Sequence, residues 1–264
     1  MGSKKQKREK FLAEHPICCF CGGGSEAEEP DHIPSRAIFD DRQWPEGFEF
    51  PACVRCNRAT RYDEEIVAFI SRLYPDPAGA KRTEDFKKIC ETLERYRPDV
   101  MEEIRGTANQ KKKALKENNI ALEPGQAAGN APLIRVGPLV NEAVTNFSRK
   151  LILALYYQQT GTILNHDAGI AIRWFSNLEV AQGKLPAELA QYIRGYPDIV
   201  RCNTSLKDQF SYGYTFSDCG RLSIFLVFFR RSFTIVGAVN LDSDKFDLPD
   251  IAKILKPYNH QSAA

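Results

Sequence analysis

Apolar residues recur at helical spacing through the first part of the chain and alternate with polar ones in the last third. Ile66, Phe69, Ile70 and Leu73 lie three or four positions apart, which predicts a helix running on from Asn57 until Pro75 stops it. A second helical stretch is predicted over residues 82–104, with Phe86, Ile89, Leu93, Val100 and Ile104 apolar and Pro98 marking a break or kink. Val140, Val144, Phe147, Leu151 and Leu155 define one face of a strongly amphipathic helix that ends near Gly161. Residues 170–175 read as a buried strand, and residues 185–193 as a short helix opened by Pro186. Beyond Asp208 the pattern turns to β: Phe210, Tyr212, Tyr214 and Phe216 alternate with Ser, Gly and Thr. Residues 222–229 and 233–240 then form two β-branched and aromatic runs around Arg230-Arg231-Ser232, the signature of an antiparallel hairpin.

The stretches between these elements divide the chain. Residues 1–14 are basic and polar and read as a flexible tail, or alternatively as an arm that contacts phosphates. Residues 15–75 form a first small domain, 76–131 a helical connector that becomes a linker from about residue 105, and 132–264 an α+β domain with an antiparallel sheet. The expected fold class is α+β. Composition is that of an ordinary globular chain of 264 residues with a net charge of only +2, so any nucleic-acid partner must be held by local basic clusters or bound metal. The N-terminal run leads into no apolar segment, and Arg230 and Arg231 break the longest apolar run. The expectation is a cytoplasmic protein with no membrane partner.

Candidate chemistry is concentrated between residues 18 and 65. Cys18-x-x-Cys21 and Cys53-x-x-Cys56 offer two pairs of thiolates, enough to close a tetrahedral zinc shell, and a closed shell makes that zinc structural. Gly22, Gly23 and Gly24 allow the tight turn that a metal knuckle needs. Cys19 is spare, and Cys90, Cys202 and Cys219 read as core thiols. Asp31 and His32 lie between the pairs, and Asn57 follows the last cysteine at the start of a helix. Asp31 and Asn57 supply the oxygen ligands that a hard divalent cation such as Mg²⁺ prefers. His32, on the opposite side of the strand from Asp31, is free to face water and to take a proton near neutral pH.

This arrangement resembles the HNH, or ββα-metal, endonucleases, and within them the four-cysteine branch that includes recombination endonuclease VII. The matching stretches are Asp31 to Phe39 (DHIPSRAIF) and Cys53 to Glu65 (CVRCNRATRYDEE). The resemblance covers roughly residues 15–73. It implies Cys18, Cys21, Cys53 and Cys56 as zinc ligands, His32 as general base, and a catalytic cation at Asp31 and Asn57. Many members carry a third histidine in the helix, which is missing here; Asp63, Glu64 and Glu65 stand in that region, and Glu65 is the first choice for the remaining metal ligand. Arg36, Arg58 and Arg61 are candidate phosphate contacts, or else they neutralise Glu28, Glu29, Asp40 and Asp41. Trp44 reads as packing rather than base stacking. His15, His166 and His260 show no company that would make them functional.

The resulting expectation is a metal-dependent endonuclease acting on DNA or RNA, with 5′-phosphate and 3′-hydroxyl products. The alternatives are a zinc-stapled binding adaptor whose nuclease site has decayed, or an antiviral or mobile-element effector gated by residues 132–264. A second copy of the chain or a regulatory protein is the kind of partner left open for that region.

Overall fold

The computed structural model describes residues 2–73, 80–122, 125, 127–130, 133–246 and 254–260. In chain order its elements are α1 (Gly2–Glu14), β1 (Glu29–His32), β2 (Glu49–Ala52), α2 (Val54–Ala59), α3 (Arg61–Ser71), α4 (Ala80–Tyr96), α5 (Pro98–Arg105), α6 (Ala108–Glu117) and α7 (Pro138–Thr160). There follow β3 (Gly169–Ser176), α8 (Asn177–Ala181), α9 (Leu189–Tyr192), β4 (Val200–Arg201), β5 (Thr204–Ser205), β6 (Phe210–Phe216), β7 (Leu222–Phe229), β8 (Phe233–Asn240) and β9 (Ile254–Leu255). Helices and antiparallel sheets together make an α+β fold. No helix among the described residues is long and apolar enough to cross a membrane.

The β-branched and aromatic runs pair as expected. β7 and β8 form a hairpin in which Phe229 faces Phe233 across the turn, with Arg230 in the left-handed region at φ 52°. They extend into a five-stranded sheet of order β6-β7-β8-β3-β9. Helix α7 starts with Pro138 at its first turn and is capped by Gly161 at φ 65°, as the sequence predicts. It lies against the sheet: the Phe147 and Phe229 rings are 5.7 Å apart. Gly237 of β8 permits this approach, since a Cβ there would stand 2.3 Å from Ile152 Cδ1.

The N-terminal hairpin β1–β2 belongs to the same core. The Phe48 ring lies 5.5 Å from Phe210 and 6.2 Å from Tyr212, and the Phe39 ring lies 6.2 Å from Phe210. Helix α3 packs on α7, and the buried residues of both regions form one continuous hydrophobic cluster. The division expected near residue 131 is therefore not a boundary in the packing. A polar junction reinforces the contact. Asp40 accepts from Arg72 (2.9 Å) and from Arg230 (2.8 Å), and the two guanidinium groups also donate to the carbonyls of Ala37, Phe39 and Ile38.

Several expectations are corrected. Residues 2–14, read as a flexible tail, are helical, and Arg8 donates to the carbonyl of Glu28. The linker expected from about residue 105 contains α6, started by a capping box between Thr107 and Gln110. The stretch over 82–104 breaks at Pro98 into two helices, as expected, whereas the short helix over 185–193 shrinks to α9. Cys90 is partly buried, but Cys202 and Cys219 are exposed rather than core thiols. Pro75 lies outside the described residues.

Candidate functional site

The two cysteine pairs meet because one sits on a turn before β1 and the other opens α2. In the first knuckle, Cys18 N donates to Ser25 O and Gly24 N to Cys21 O, with Gly22 at φ 65° and Gly23 at φ 79°. In the second, Cys53 caps α2, and its sulfur accepts from Cys56 N at 3.4 Å. The hairpin clamps the two knuckles together through Cys19 N donating to Pro51 O. All four sulfurs are buried and lie within 4.8 Å of one another. A tetrahedral zinc with Zn–S bonds of about 2.3 Å needs sulfurs about 3.8 Å apart, inside that limit. This buried four-cysteine group could hold a metal ion such as zinc.

The chemistry of the thiols points the same way. Hydrogen bonding with Cys18 pulls the Cys21 thiol down to about 2, and donating to Cys21 pushes Cys18 up to about 12.

A second cluster lies under the hairpin, and its centre is a residue from α7. The Lys150 ammonium is fully buried, 2.6 Å from Asp31 Oδ2 and 3.2 Å from Glu64 Oε1. It also donates to Thr60 Oγ1 at 3.0 Å and to the Asn57 carbonyl at 3.3 Å, and it faces the Phe20 ring at 5.4 Å. Thr60 in turn donates to Glu64 at 2.6 Å. Burial opposes the charge on Lys150, but the pull of Asp31 and Glu64 outweighs it and holds the ammonium above its ordinary value. Burial also raises both carboxyls against the attraction of Lys150, taking Glu64 to about 7. One ammonium between two carboxylates leaves a negative charge over, and a proton on Glu64 relieves it.

This arrangement does not fit the divalent cation that the resemblance implies at Asp31, Asn57 and Glu65. The Asp31 oxygen it would use is already in an ion pair within a site closed to solvent. Mg²⁺ wants oxygens at about 2.1 Å and retains several waters. The Asn57 Nδ2 donates to Glu29 at 2.6 Å, and it is the Asn57 backbone carbonyl that Lys150 reaches. Glu64, rather than Glu65, is the member of the acidic trio that joins Asp31; burial raises Glu65, offset in part by the charge of Arg61 one turn back on α3. Asp63 is pushed up to about 6 by burial and bonds to Asn146. Among the described residues, the four cysteines are the one group of three or more His, Cys, Asp or Glu side chains placed to hold a metal.

His32 lies at the end of β1 on the outer side of the hairpin, facing away from Asp31. Its ring stacks on Trp44 with centroids 4.7 Å apart and planes 16° from parallel. Nε2 accepts from Arg36, whose guanidinium carbon stands 3.7 Å from the Trp44 centroid; that of Arg201 stands 4.2 Å from it. Burial, helped by the positive charge of Arg36, lowers His32 to about 4. The imidazole is therefore neutral at physiological pH, with two guanidinium groups alongside, the Glu49 carboxylate 3.9 Å from Nε2, and Nδ1 buried.

Arg36 thus joins His32, while Arg58 and Arg61 are exposed on α2 and α3 and do not. The other histidines have closer company than the sequence suggests. His15 Nδ1 is 2.8 Å from the Tyr157 hydroxyl, His166 lies over Gly22 of the first knuckle, and His260 Nε2 is 3.1 Å from Cys56 Sγ. Two residues that sequence reasoning missed are Lys150 and Arg201. Lys150 carried a signal: it interrupts the apolar stripe of α7 between Phe147 and Ala154, one helical turn from each. Arg201, on the short strand β4, carried none. Comparison with protein-family models, with curated proteins and with solved structures finds no match to this chain.

Proposed function

We propose that the chain is an HNH-type nucleic-acid phosphodiesterase that cuts DNA or RNA with His32 as general base. The observation that carries this reading is the desolvated, neutral imidazole of His32, held by Arg36 and Trp44 with Arg201 beside it, at the end of a strand anchored by the four cysteines. An incoming phosphodiester draws Arg36 off Nε2, which exposes the lone pair to a water molecule. His32 accepts the proton, the hydroxide attacks phosphorus, the bond to the 3′-oxygen breaks, solvent water protonates the departing alkoxide, and the imidazolium returns its proton to solvent. Arg36 and Arg201 balance the charge that builds on the non-bridging oxygens. Cys18, Cys21, Cys53 and Cys56 would hold a structural zinc that ties the two ends of the hairpin, with no open position left for chemistry.

The test is cleavage of plasmid, single-stranded DNA and RNA by the zinc-loaded chain, with and without Mg²⁺. His32→Ala should lose at least about 100-fold in rate, the usual worth of a general base, with zinc content and melting temperature unchanged. Wild-type rates from that variant would contradict the assignment.

A second reading has its own observation. Lys150 fills the place of the expected cation, which favours a zinc-stapled adaptor that binds nucleic acid without cutting it. A wild-type chain that shifts labelled oligonucleotides in a gel, loses the shift on Arg36→Ala, and leaves every substrate intact would select this reading.

A further inference from the structure

We propose that Lys150 is the resident cation of the Asp31–Glu64 site, so that this site takes no divalent metal while α7 is docked. The geometry is that of a coordination shell built around a nitrogen. Asp31 Oδ2, Thr60 Oγ1, Glu64 Oε1 and the Asn57 carbonyl converge on Nζ at 2.6, 3.0, 3.2 and 3.3 Å, and Phe20 closes a further side. These are hydrogen-bond lengths, too long for Mg²⁺ and, but for the first, too long for Ca²⁺. Three of the four oxygens come from residues 57–64 and the fourth from β1, so the shell belongs to the zinc-stapled region; only its cation is brought by α7.

Charge favours the same assignment. A divalent ion beside a buried ammonium would meet like charge at contact distance in a low-dielectric interior, and Lys150 has no room to leave. Its stem runs from a helix whose neighbours Phe147, Leu151 and Ala154 are all buried. Removing the ammonium leaves two carboxylates and two neutral oxygens around a gap, a set that suits Mn²⁺ or Mg²⁺. Whether the chain cuts nucleic acid does not enter this inference, and its test reads metal binding alone.

The experiment is a titration of the zinc-loaded, full-length chain with Mn²⁺, followed by electron paramagnetic resonance and calorimetry. Wild type should show no saturable Mn²⁺ site that Asp31→Asn removes. Lys150→Ala should gain one equivalent with a Kd at least tenfold tighter than any residual surface binding, and Lys150→Ala with Asp31→Asn should lose it again. If Lys150→Ala does not fold alone, millimolar Mn²⁺ should restore its folding, and should not restore that of the double variant. An Asp31-dependent Mn²⁺ site in wild type would overturn the proposal. So would a Lys150→Ala chain that neither gains a site nor is rescued by Mn²⁺.

Discussion

Two groups of anionic ligands flank the same short hairpin, and they differ in where their positive charge comes from. The four thiols of Cys18, Cys21, Cys53 and Cys56 lie together, with His260 Nε2 3.1 Å from Cys56 Sγ. The carboxyls of Asp31 and Glu64 close on an ammonium supplied by the chain itself. The first group must import a cation to hold its ligands as thiolates, whereas the second already has one in Lys150. The comparison separates a site that calls for metal from one that merely has the residue types for it. Ligand identity in the sequence is alike in both cases; the contribution of α7 decides.

The largest effect expected from this contrast is on the thiol side. Cys53→Ser, or chelation under mild denaturation, should unfold the hairpin region, because structural zinc in small sites contributes on the order of 10 kcal/mol of binding free energy. Calorimetry should show a fall in Tm of well over about 10 °C, and an unchanged Tm would remove the thiols from the structural account.

A smaller effect concerns pH and sharpens the carboxylate side. His32 is lowered from 6.5 to about 4, so between those values the unfolded chain takes up its proton first. Stability is therefore lost as pH falls through that window, by on the order of 2–3 kcal/mol for a group this well covered. His32→Gln should flatten that limb in urea titrations. Glu64 acts with the opposite sign, because burial raises it to about 7. Its contribution is present below the unfolded value of 4.5 and is lost as pH rises through about 7. Glu64→Gln should therefore raise Tm above pH 8 and leave it unchanged at pH 5; the reverse order would mean that the proton does not sit on Glu64. The smallest effect is for Glu65→Gln, expected to change stability by no more than about 0.5 kcal/mol and to leave metal content alone.

Much of this was legible in the sequence where the deciding contacts are local. The cysteine spacing, the β7–β8 hairpin, Pro98 at the start of α5 and Gly161 at the end of α7 follow from turn and capping chemistry within a few residues. Charge density misled at α1 and α6. Lysine-rich stretches look like solvated tails, yet Lys, Glu and Gln are good helix formers, and Lys5–Glu9, Lys10–Glu14 and Lys113–Glu117 are spaced for helical ion pairs. The candidate site was half legible. Asp31 and the Asn57 carbonyl meet at Lys150 while His32 faces the other side of the strand, and Lys150 and Arg201 arrive from distant elements whose docking no local pattern encodes. The choice of Glu64 over Glu65 likewise depends on which face of α3 meets α7, and that is settled by tertiary packing.

The most direct test of the central contrast is a count of metal ions by native mass spectrometry, on the full chain purified with zinc and then equilibrated with millimolar Mg²⁺ and Mn²⁺. The account predicts one zinc per chain, lost on Cys53→Ser, and no second ion that depends on Asp31. A second ion retained by the wild-type chain and removed by Asp31→Asn would contradict it.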